Sequence, residues 1–225
     1  MSWITVAILV LFFGGGIGYF IVKRLSLNGL NAALRNKDYQ SVIRQAEGSM
    51  NRKLLGEYVC DLYKLRAYVL LKDNDHVREH AKMMLYHTYS TEQHKAFLEL
   101  YFHIFLNRND LEMADLFLEE IKKLDDYLFT AYNEAAYEVL VNKRTDMIED
   151  MERHIEAKVY HGFPLGTLVY LIAMQYLYME DYKNAKLYFE ECIDCFHPNA
   201  IYVGLAKTQI KKLNEQIAEA STASA

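Results

Sequence analysis

The sequence predicts an all-α protein, in which one transmembrane helix precedes an α-solenoid of helix–turn–helix repeats. Three observations predict this fold: a long uncharged run at the N-terminus, a repeat of about 35 residues in the remainder, and few residues that break helices. The 225 residues include only two prolines and ten glycines, and 52% are hydrophobic. Apolar residues recur at helical spacing rather than alternating as in a half-buried strand.

Residues 1–24 are interpreted as a transmembrane signal-anchor helix and its basic flank. No charged side chain occurs from Trp3 to Val22, and a run of about twenty such residues spans a hydrocarbon core of roughly 30 Å. A cleaved signal peptide fits less well, because a positive n-region and a small-residue cleavage site are both missing. No basic residue precedes the run. Five follow it closely, namely Lys23, Arg24, Arg35, Lys37 and Arg44. We therefore expect a single-pass membrane protein with its N-terminus outside and its soluble domain in the cytoplasm.

Gly14 and Gly18 form a G-x-x-x-G pair inside this run. Glycines at this spacing let two membrane helices approach each other closely. The pair is compatible with a homodimer through this helix. The alternative is that residues 3–22 contact membrane lipid alone.

Residues 25–198 are predicted to form helical repeats, followed by a C-terminal capping helix and short tail in residues 199–225. Five apolar helices end near a leucine: Leu34, Leu71, Leu106, Leu140 and Leu177. Their spacings are 37, 35, 34 and 37 residues. A polar turn follows each leucine, and each turn has a residue able to cap the next helix. These candidate caps are Asp38, Asp75, Asp110, Thr145 and Asp181.

Helical spacing within the repeats is clear in two stretches. One buried stripe is predicted at Leu98, Tyr101, Phe102 and Phe105, and another at Val169, Ile172, Ala173 and Tyr176. Small residues also lie four positions before three of the leucines, where two helices would approach closely. They are Ala67, Ala136 and Ala173.

Residues 27–198 resemble divergent tetratricopeptide (TPR) repeats. The resemblance rests on the period of about 35 residues, on the small residue in the first helix, and on two sequence segments. These segments are D-L-E-M-A from Asp110 to Ala114 and D-Y-K-N-A from Asp181 to Ala185. The resemblance implies a concave face, lined by the first helix of each repeat, that binds a protein or peptide partner.

The resemblance also implies which residues face that groove. They are Lys64, Tyr68, Glu99, His103, Asn133, Tyr137, Tyr170 and Met174. Tyr68 and Tyr137 have an alternative interpretation as packing residues between repeats. Lys64 is the only basic residue of the set, so the groove lacks a clamp for a partner's carboxylates and favours a helical or extended segment.

Composition and motifs give little support to other classes of function. The net charge of −5 and the pI of 5.9 argue against nucleic-acid binding, which requires clustered basic residues. His76, Glu79 and His80 match an H-x-x-E-H zinc motif, although five residues at the start of a helix match easily by chance. Cys192 and Cys195 form one C-x-x-C pair, and the sequence leaves open whether they have a metal or redox role. We predict no enzymatic activity, no cofactor and no metal site.

The leading hypothesis is a membrane-anchored adaptor that binds its partner on the cytoplasmic side. An extracytoplasmic assembly factor or chaperone-like module would require the opposite topology. A zinc hydrolase that uses His76, Glu79 and His80 is the third hypothesis. The sequence does not identify the partner or the pathway.

Overall fold

The computed structural model describes residues 3–198 and 200–223, with side chains at residue 3, residues 16–198 and residues 200–216. Within this part of the chain every regular element is an α-helix, which confirms the predicted all-α class. The chain divides into two compact units, Met1–His94 and Lys95–Ala225.

Unit 1 (Met1–His94) is built from five successive helices that pack on one another. They are α1 (Trp3–Arg35), α2 (Tyr39–Glu47), α3 (Ser49–Leu55), α4 (Glu57–Leu71) and α5 (Asn74–Leu85). α2 packs against both α1 and α4, and α5 packs against α4. The core between these helices includes Leu30, Val42, Ala46, Cys60 and Ala67, all at most 1% exposed.

Unit 2 (Lys95–Ala225) surrounds one deeply buried helix. Its helices are α6 (Thr91–Asn107, which begins in unit 1), α7 (Leu111–Lys122), α8 (Tyr127–Leu140), α9 (Ile148–Glu156), α10 (Phe163–Tyr178), α11 (Tyr182–Cys195) and α12 (Ile201–Ala223). α10 packs against α8, α9, α11 and α12. Ten successive residues of α10 are buried, from Gly166 to Gln175. The sequence predicted only one buried stripe on this helix, because neighbours on every side are a tertiary feature.

One type of turn recurs four times and joins successive helices. In each turn a residue with left-handed backbone is followed by an aspartate whose N–H donates to the carbonyl five residues earlier. The left-handed residues are Lys37, Lys72, Asn109 and Glu180, with φ between 56° and 62°. The N–H to carbonyl distances are 2.9–3.1 Å, at Asp38, Asp73, Asp110 and Asp181. This is the pattern that closes a helix C-terminus, and the same aspartate then caps the next helix.

Three of the five predicted caps are confirmed. The side chains of Asp38, Asp110 and Asp181 accept hydrogen bonds from backbone N–H groups three residues later. Asp75 is wrong: Asp73 caps α5, because the left-handed residue lies at Lys72 and the helix starts two residues earlier than predicted. Thr145 is also wrong. The connection between α8 and α9 is longer than the other turns, and α9 starts after Met147 without a side-chain cap.

The predicted leucines lie at helix ends, and the predicted small residues are buried. Each of the five leucines is the last or next-to-last residue of its helix. Ala67, Ala136 and Ala173 are fully buried. The short helix α3 was not predicted, because its seven residues carry no clear apolar period.

No helix among the described residues is both long and apolar enough to cross a membrane. Most of the predicted span lies outside the described set, because the side chains of residues 4–15 are not described. Gly14 belongs to that segment, whereas Gly18 has no heavy atom within 4 Å of the place where a Cβ would stand. The transmembrane helix and the homodimer therefore stay predictions.

Candidate functional site

The eight predicted groove residues fall into three surface depressions and one buried cluster. Lys64 and Tyr68 lie together in a depression of unit 1. Glu99 lines a second depression and Tyr137 a third, both in unit 2. The other four residues are buried in unit 2: His103, Asn133, Tyr170 and Met174.

The depression in unit 1 lies between α4 and α5, and we call it the α4–α5 depression. It has a volume of about 310 Å³ and is lined by Lys64, Tyr68, His76, Glu79, His80 and Met83. Lys64 and Tyr68 are one helical turn apart and therefore share a face of α4. The other four residues follow one face of α5. The side chains are of mixed chemistry, with an ammonium, an aromatic ring, a carboxylate and an exposed thioether.

Contacts within unit 1 hold Lys64 and Tyr68 in place. Lys64 Nζ lies 2.6 Å from Glu47 Oε1 and 5.9 Å from the centre of the Tyr68 ring. The His76 ring stacks on Tyr68 with centroids 5.0 Å apart, and the His80 ring contacts Tyr68 edge-on at 6.0 Å. Burial acts to lower the pKa of Lys64, but contact with Glu47 and Tyr68 outweighs it and raises the pKa. Lys64 is therefore a fixed positive charge at this surface.

The two histidines of the H-x-x-E-H motif are engaged within the protein. His76 Nδ1 lies 2.8 Å from Asp73 Oδ2, and His80 Nε2 lies 3.2 Å from the backbone carbonyl of Asp61. Burial lowers the pKa of His80, which favours its neutral form. Across the described part of the chain, no group of three or more His, Cys, Asp or Glu side chains is arranged to hold a metal ion.

A buried carboxylate lies beneath the α4–α5 depression. Asp61 is 2% exposed and accepts hydrogen bonds from Arg52 Nη1 at 2.8 Å and from the Tyr89 hydroxyl at 3.0 Å. These contacts join α3 and the segment after α5 to α4. The role of Asp61 was not predicted from the sequence, because an aspartate on a helix face normally faces solvent and its partners lie 9 and 28 residues away.

Glu99 lies in a small aromatic depression of about 280 Å³, which we call the Glu99 depression. Its lining includes Lys95, Asp126, Phe129, Tyr132 and Tyr160. The carboxylate of Glu99 accepts a hydrogen bond from the Tyr132 hydroxyl. Burial raises the pKa of Glu99, although this hydrogen bond opposes the rise. The Lys95 ammonium lies 4.5 Å from the centre of the Phe129 ring.

Tyr137 lines the third depression, of about 440 Å³, at the surface of α8. Its hydroxyl donates to Asp115 Oδ1 at 2.5 Å, which raises the pKa of Tyr137 to about 12. The phenol therefore stays protonated at neutral pH. Like Lys64 and Tyr68, it is half-buried and reaches solvent.

Four predicted groove residues belong to the core instead. His103 and Asn133 are fully buried, Tyr170 is 3% exposed and Met174 is 9% exposed. His103 Nδ1 is hydrogen bonded to the Tyr202 hydroxyl at 2.6 Å, and Tyr170 packs on Tyr202 with ring centroids 4.5 Å apart. Tyr202 of α12 thus covers His103 and Tyr170, and burial removes all four residues from the candidate surface.

The two cysteines of the C-x-x-C pair differ in exposure. Cys192 is fully buried, and burial raises the pKa of its thiol to about 12. Cys195 is partly exposed, and its thiol donates to the Glu191 carbonyl at 3.6 Å. A fully buried thiol such as that of Cys192 packs as a small hydrophobic side chain.

Comparisons with known proteins gave no match. No protein-family model matches the chain, and neither curated proteins nor solved structures include a significant match.

Proposed function

We propose that the chain is a membrane-anchored, TPR-like adaptor whose helical part binds a protein or peptide partner at the cytoplasmic side of the membrane. The observation that carries the proposal is the α4–α5 depression, where predicted groove residues Lys64 and Tyr68 lie together at the surface. Charged and aromatic side chains fixed in one open depression are typical of surfaces that recognise a segment of another protein.

The repeated turn supports the TPR-like part of the proposal. Four turns share the same backbone geometry, and in each of them an aspartate caps the next helix. In unit 1, α2 packs against both α1 and α4, and in unit 2, α7 packs against α8 and α11 packs against both α10 and α12. Stacked helix pairs joined by equivalent turns are the local arrangement from which repeat proteins are built.

The anchor is supported by residues at the end of the uncharged run. Ile17, Phe20 and Ile21 are 52–65% exposed, so the rest of unit 1 leaves this part of α1 uncovered. Lys23 and Arg24 follow directly and are exposed. A basic flank on the C-terminal side of the run favours a cytoplasmic domain. Anchoring raises the effective concentration of the domain for partners at the same membrane.

Binding at the α4–α5 depression is tested by photo-crosslinking in cells. A crosslinking amino acid replaces Tyr68 in the full chain, and the matched control replaces Arg66. Arg66 is exposed on the same helix but lies two residues away, on the opposite face. We expect a discrete covalent adduct from position 68 that is absent from position 66.

The adduct is then challenged with two charge deletions on α4. Lys64→Ala removes the ammonium inside the depression, and Arg66→Ala removes one outside it. We expect the adduct from position 68 to decrease with Lys64→Ala and to persist with Arg66→Ala. Equal yields from positions 66 and 68, or an adduct insensitive to Lys64→Ala, would contradict the proposal.

The orientation of the anchor is tested separately. A reporter enzyme that is active only in the cytoplasm, or only outside it, is fused after Ala225. Activity of the cytoplasmic reporter is expected. Activity of the external reporter alone would reverse the proposed topology and favour the extracytoplasmic assembly factor.

A further inference from the structure

The short helix α3 lies beside the end of the uncharged run of α1. The Tyr19 hydroxyl donates to the Leu54 carbonyl at 3.4 Å, and α3 packs against α1. Each helical residue advances about 1.5 Å, so Tyr19 lies only about 4.5 Å before Val22, where the run ends. If residues 3–22 cross a bilayer, α3 lies at the level of its headgroups.

Side chains on this part of the protein combine apolar and basic exposure. On α1, Ile17, Phe20 and Leu25 are 61–65% exposed, and on α3 Met50 is 64% exposed. The basic residues Lys23, Arg24 and Lys53 are exposed on the same two helices. A methionine with lysines and arginines at the end of an apolar helix is the composition of a segment at a membrane surface.

We propose that α3, together with Lys23 and Arg24, forms a membrane-interface platform that contacts anionic lipid headgroups. This inference rests on the proposed anchor. The positive charge of Lys23, Arg24 and Lys53 complements an anionic leaflet, and the exposed side chains of Ile17 and Phe20 belong to the uncharged run of α1. The platform holds unit 1 directly at the bilayer surface, without a flexible spacer between α1 and α2.

Spin labels on the full chain test the depth of each segment. The chain is reconstituted into vesicles of phosphatidylcholine alone or with phosphatidylserine, and single labels are placed by Ile17→Cys, Met50→Cys and Lys37→Cys. Collision with oxygen reports lipid contact, and collision with a water-soluble nickel complex reports water contact. Lys37 is the control, because it lies in the turn that follows α1, whose last residue Arg35 is about 18 Å beyond Lys23 along the helix axis.

Background labelling is controlled through the native cysteines. Cys60 and Cys192 are fully buried, and burial raises the pKa of both thiols, which slows their reaction. Cys195 is partly exposed and is replaced by serine.

The expected result is a different depth for each label. The spin label at residue 17 (label 17) should collide with oxygen and hardly with nickel. The spin label at residue 37 (label 37) should collide freely with nickel in both vesicle types. Label 50 should lose nickel collisions when phosphatidylserine is present. Each basic residue near an anionic surface shifts the equilibrium between the lipid-bound and the water-exposed position of a segment about fivefold. Lys53→Glu should therefore weaken the effect of phosphatidylserine at least about fivefold, whereas Lys37→Glu should leave it unchanged.

Each other outcome overturns a defined part of the inference. A label 50 that collides freely with nickel in both vesicle types would refute the platform and leave the anchor in place. Equal protection of label 50 with and without phosphatidylserine would refute the preference for anionic lipid. A label 17 shielded from both oxygen and nickel would show that a second copy covers the helix. A label 17 in water would refute the anchor itself.

Discussion

In unit 1 the carboxylate of Asp61 is buried among polar donors, whereas in unit 2 the imidazole of His103 is buried among aromatic rings. Asp61 accepts hydrogen bonds from Arg52 and Tyr89. His103 stacks on Tyr132 at 6.0 Å between centroids, contacts Phe163 edge-on, and has polar neighbours in Tyr202 and Asn133.

The difference shows two ways to bury a titratable group. A buried carboxylate is tolerated when donors surround it, because each charge-assisted hydrogen bond replaces part of its lost hydration. A buried imidazole among rings is tolerated because it becomes neutral, and burial lowers the pKa of His103 to about 3. The stability of unit 1 therefore depends on the specific hydrogen-bond donors of the Asp61 carboxylate. The stability of unit 2 depends on close packing and on a neutral His103 imidazole.

The largest expected effect is the removal of the buried carboxylate. Asp61→Ala leaves the Tyr89 hydroxyl without its acceptor and Arg52 with Glu57 alone, and should lower the free energy of unfolding by about 2–3 kcal/mol. The measurement is denaturant unfolding of the full chain in detergent, with hydrogen exchange of α4 as a local readout. Asp75→Ala, at an exposed aspartate, should change stability by less than about 0.5 kcal/mol. A loss below about 1 kcal/mol for Asp61→Ala would remove the contrast between the units.

The second prediction concerns acid and unit 2. His103 binds a proton near its ordinary pKa of 6.5 when unfolded but only near 3 when folded. Between these values the unfolded chain binds more protons, so this contribution is complete above pH 6.5 and is lost as the pH falls. From about pH 6.5 to about pH 4.5 unit 2 should lose about 2 kcal/mol, read by hydrogen exchange of α10. His103→Gln should show a shallower pH dependence. Identical pH profiles for the two proteins would contradict the buried neutral imidazole.

The third prediction tests how tightly the aromatic core of unit 2 is packed. A Cβ at Gly166 would lie 2.6–2.8 Å from three atoms of the Phe196 ring. Gly166→Ala should therefore lower the free energy of unfolding by about 1–2 kcal/mol, after the better helix propensity of alanine offsets part of the clash. Gly204→Ala is the matched control in α12, because its Cβ would meet no atom within 4 Å. It should stabilise the protein by up to about 1 kcal/mol. Stabilisation by both changes would mean that the core is loose.

The smallest expected effect is common to both units. Lys72 and Glu180 have φ near 60°, a conformation that side chains with a Cβ disfavour by about 1 kcal/mol. Lys72→Gly in unit 1 and Glu180→Gly in unit 2 should each raise the free energy of unfolding by up to that amount. Similar increases in the midpoint temperature of thermal unfolding would show that the turns are equivalent and that the units differ in their cores. A loss at either position would show that its side chain has a role that the turn geometry does not explain.

The local features of the fold could be predicted from the sequence. The leucines that end helices follow from the apolar period, and Asp38, Asp110 and Asp181 are caps because a side-chain oxygen three residues before an N–H accepts from it. Asp75 failed by two positions, because the left-handed residue at Lys72 was not recognised and lysine has no preference for that conformation.

The candidate site was predicted less completely. Lys64 and Tyr68 are one turn apart on one helix, so their shared face was a local prediction, and Tyr137 reaches the surface in the same way. The aromatic neighbours of Glu99 were not predicted. The repeat period of about 35 residues could have indicated Tyr132, which lies 33 residues after Glu99. An alignment of repeats by contact rather than by leucine position would have brought this pair together.

The sequence by itself determined the all-α class, the five helix ends marked by leucines and three of the five caps, because these depend on hydrogen bonds and apolar spacing within a few residues. Only the tertiary structure decided which polar side chains of the first helices are buried. Tyr202 lies 99 residues after His103, and no local pattern indicates that its hydroxyl reaches the imidazole. Burial is set by whichever helix packs over a face. That choice depends on complementary shapes contributed by distant parts of the chain.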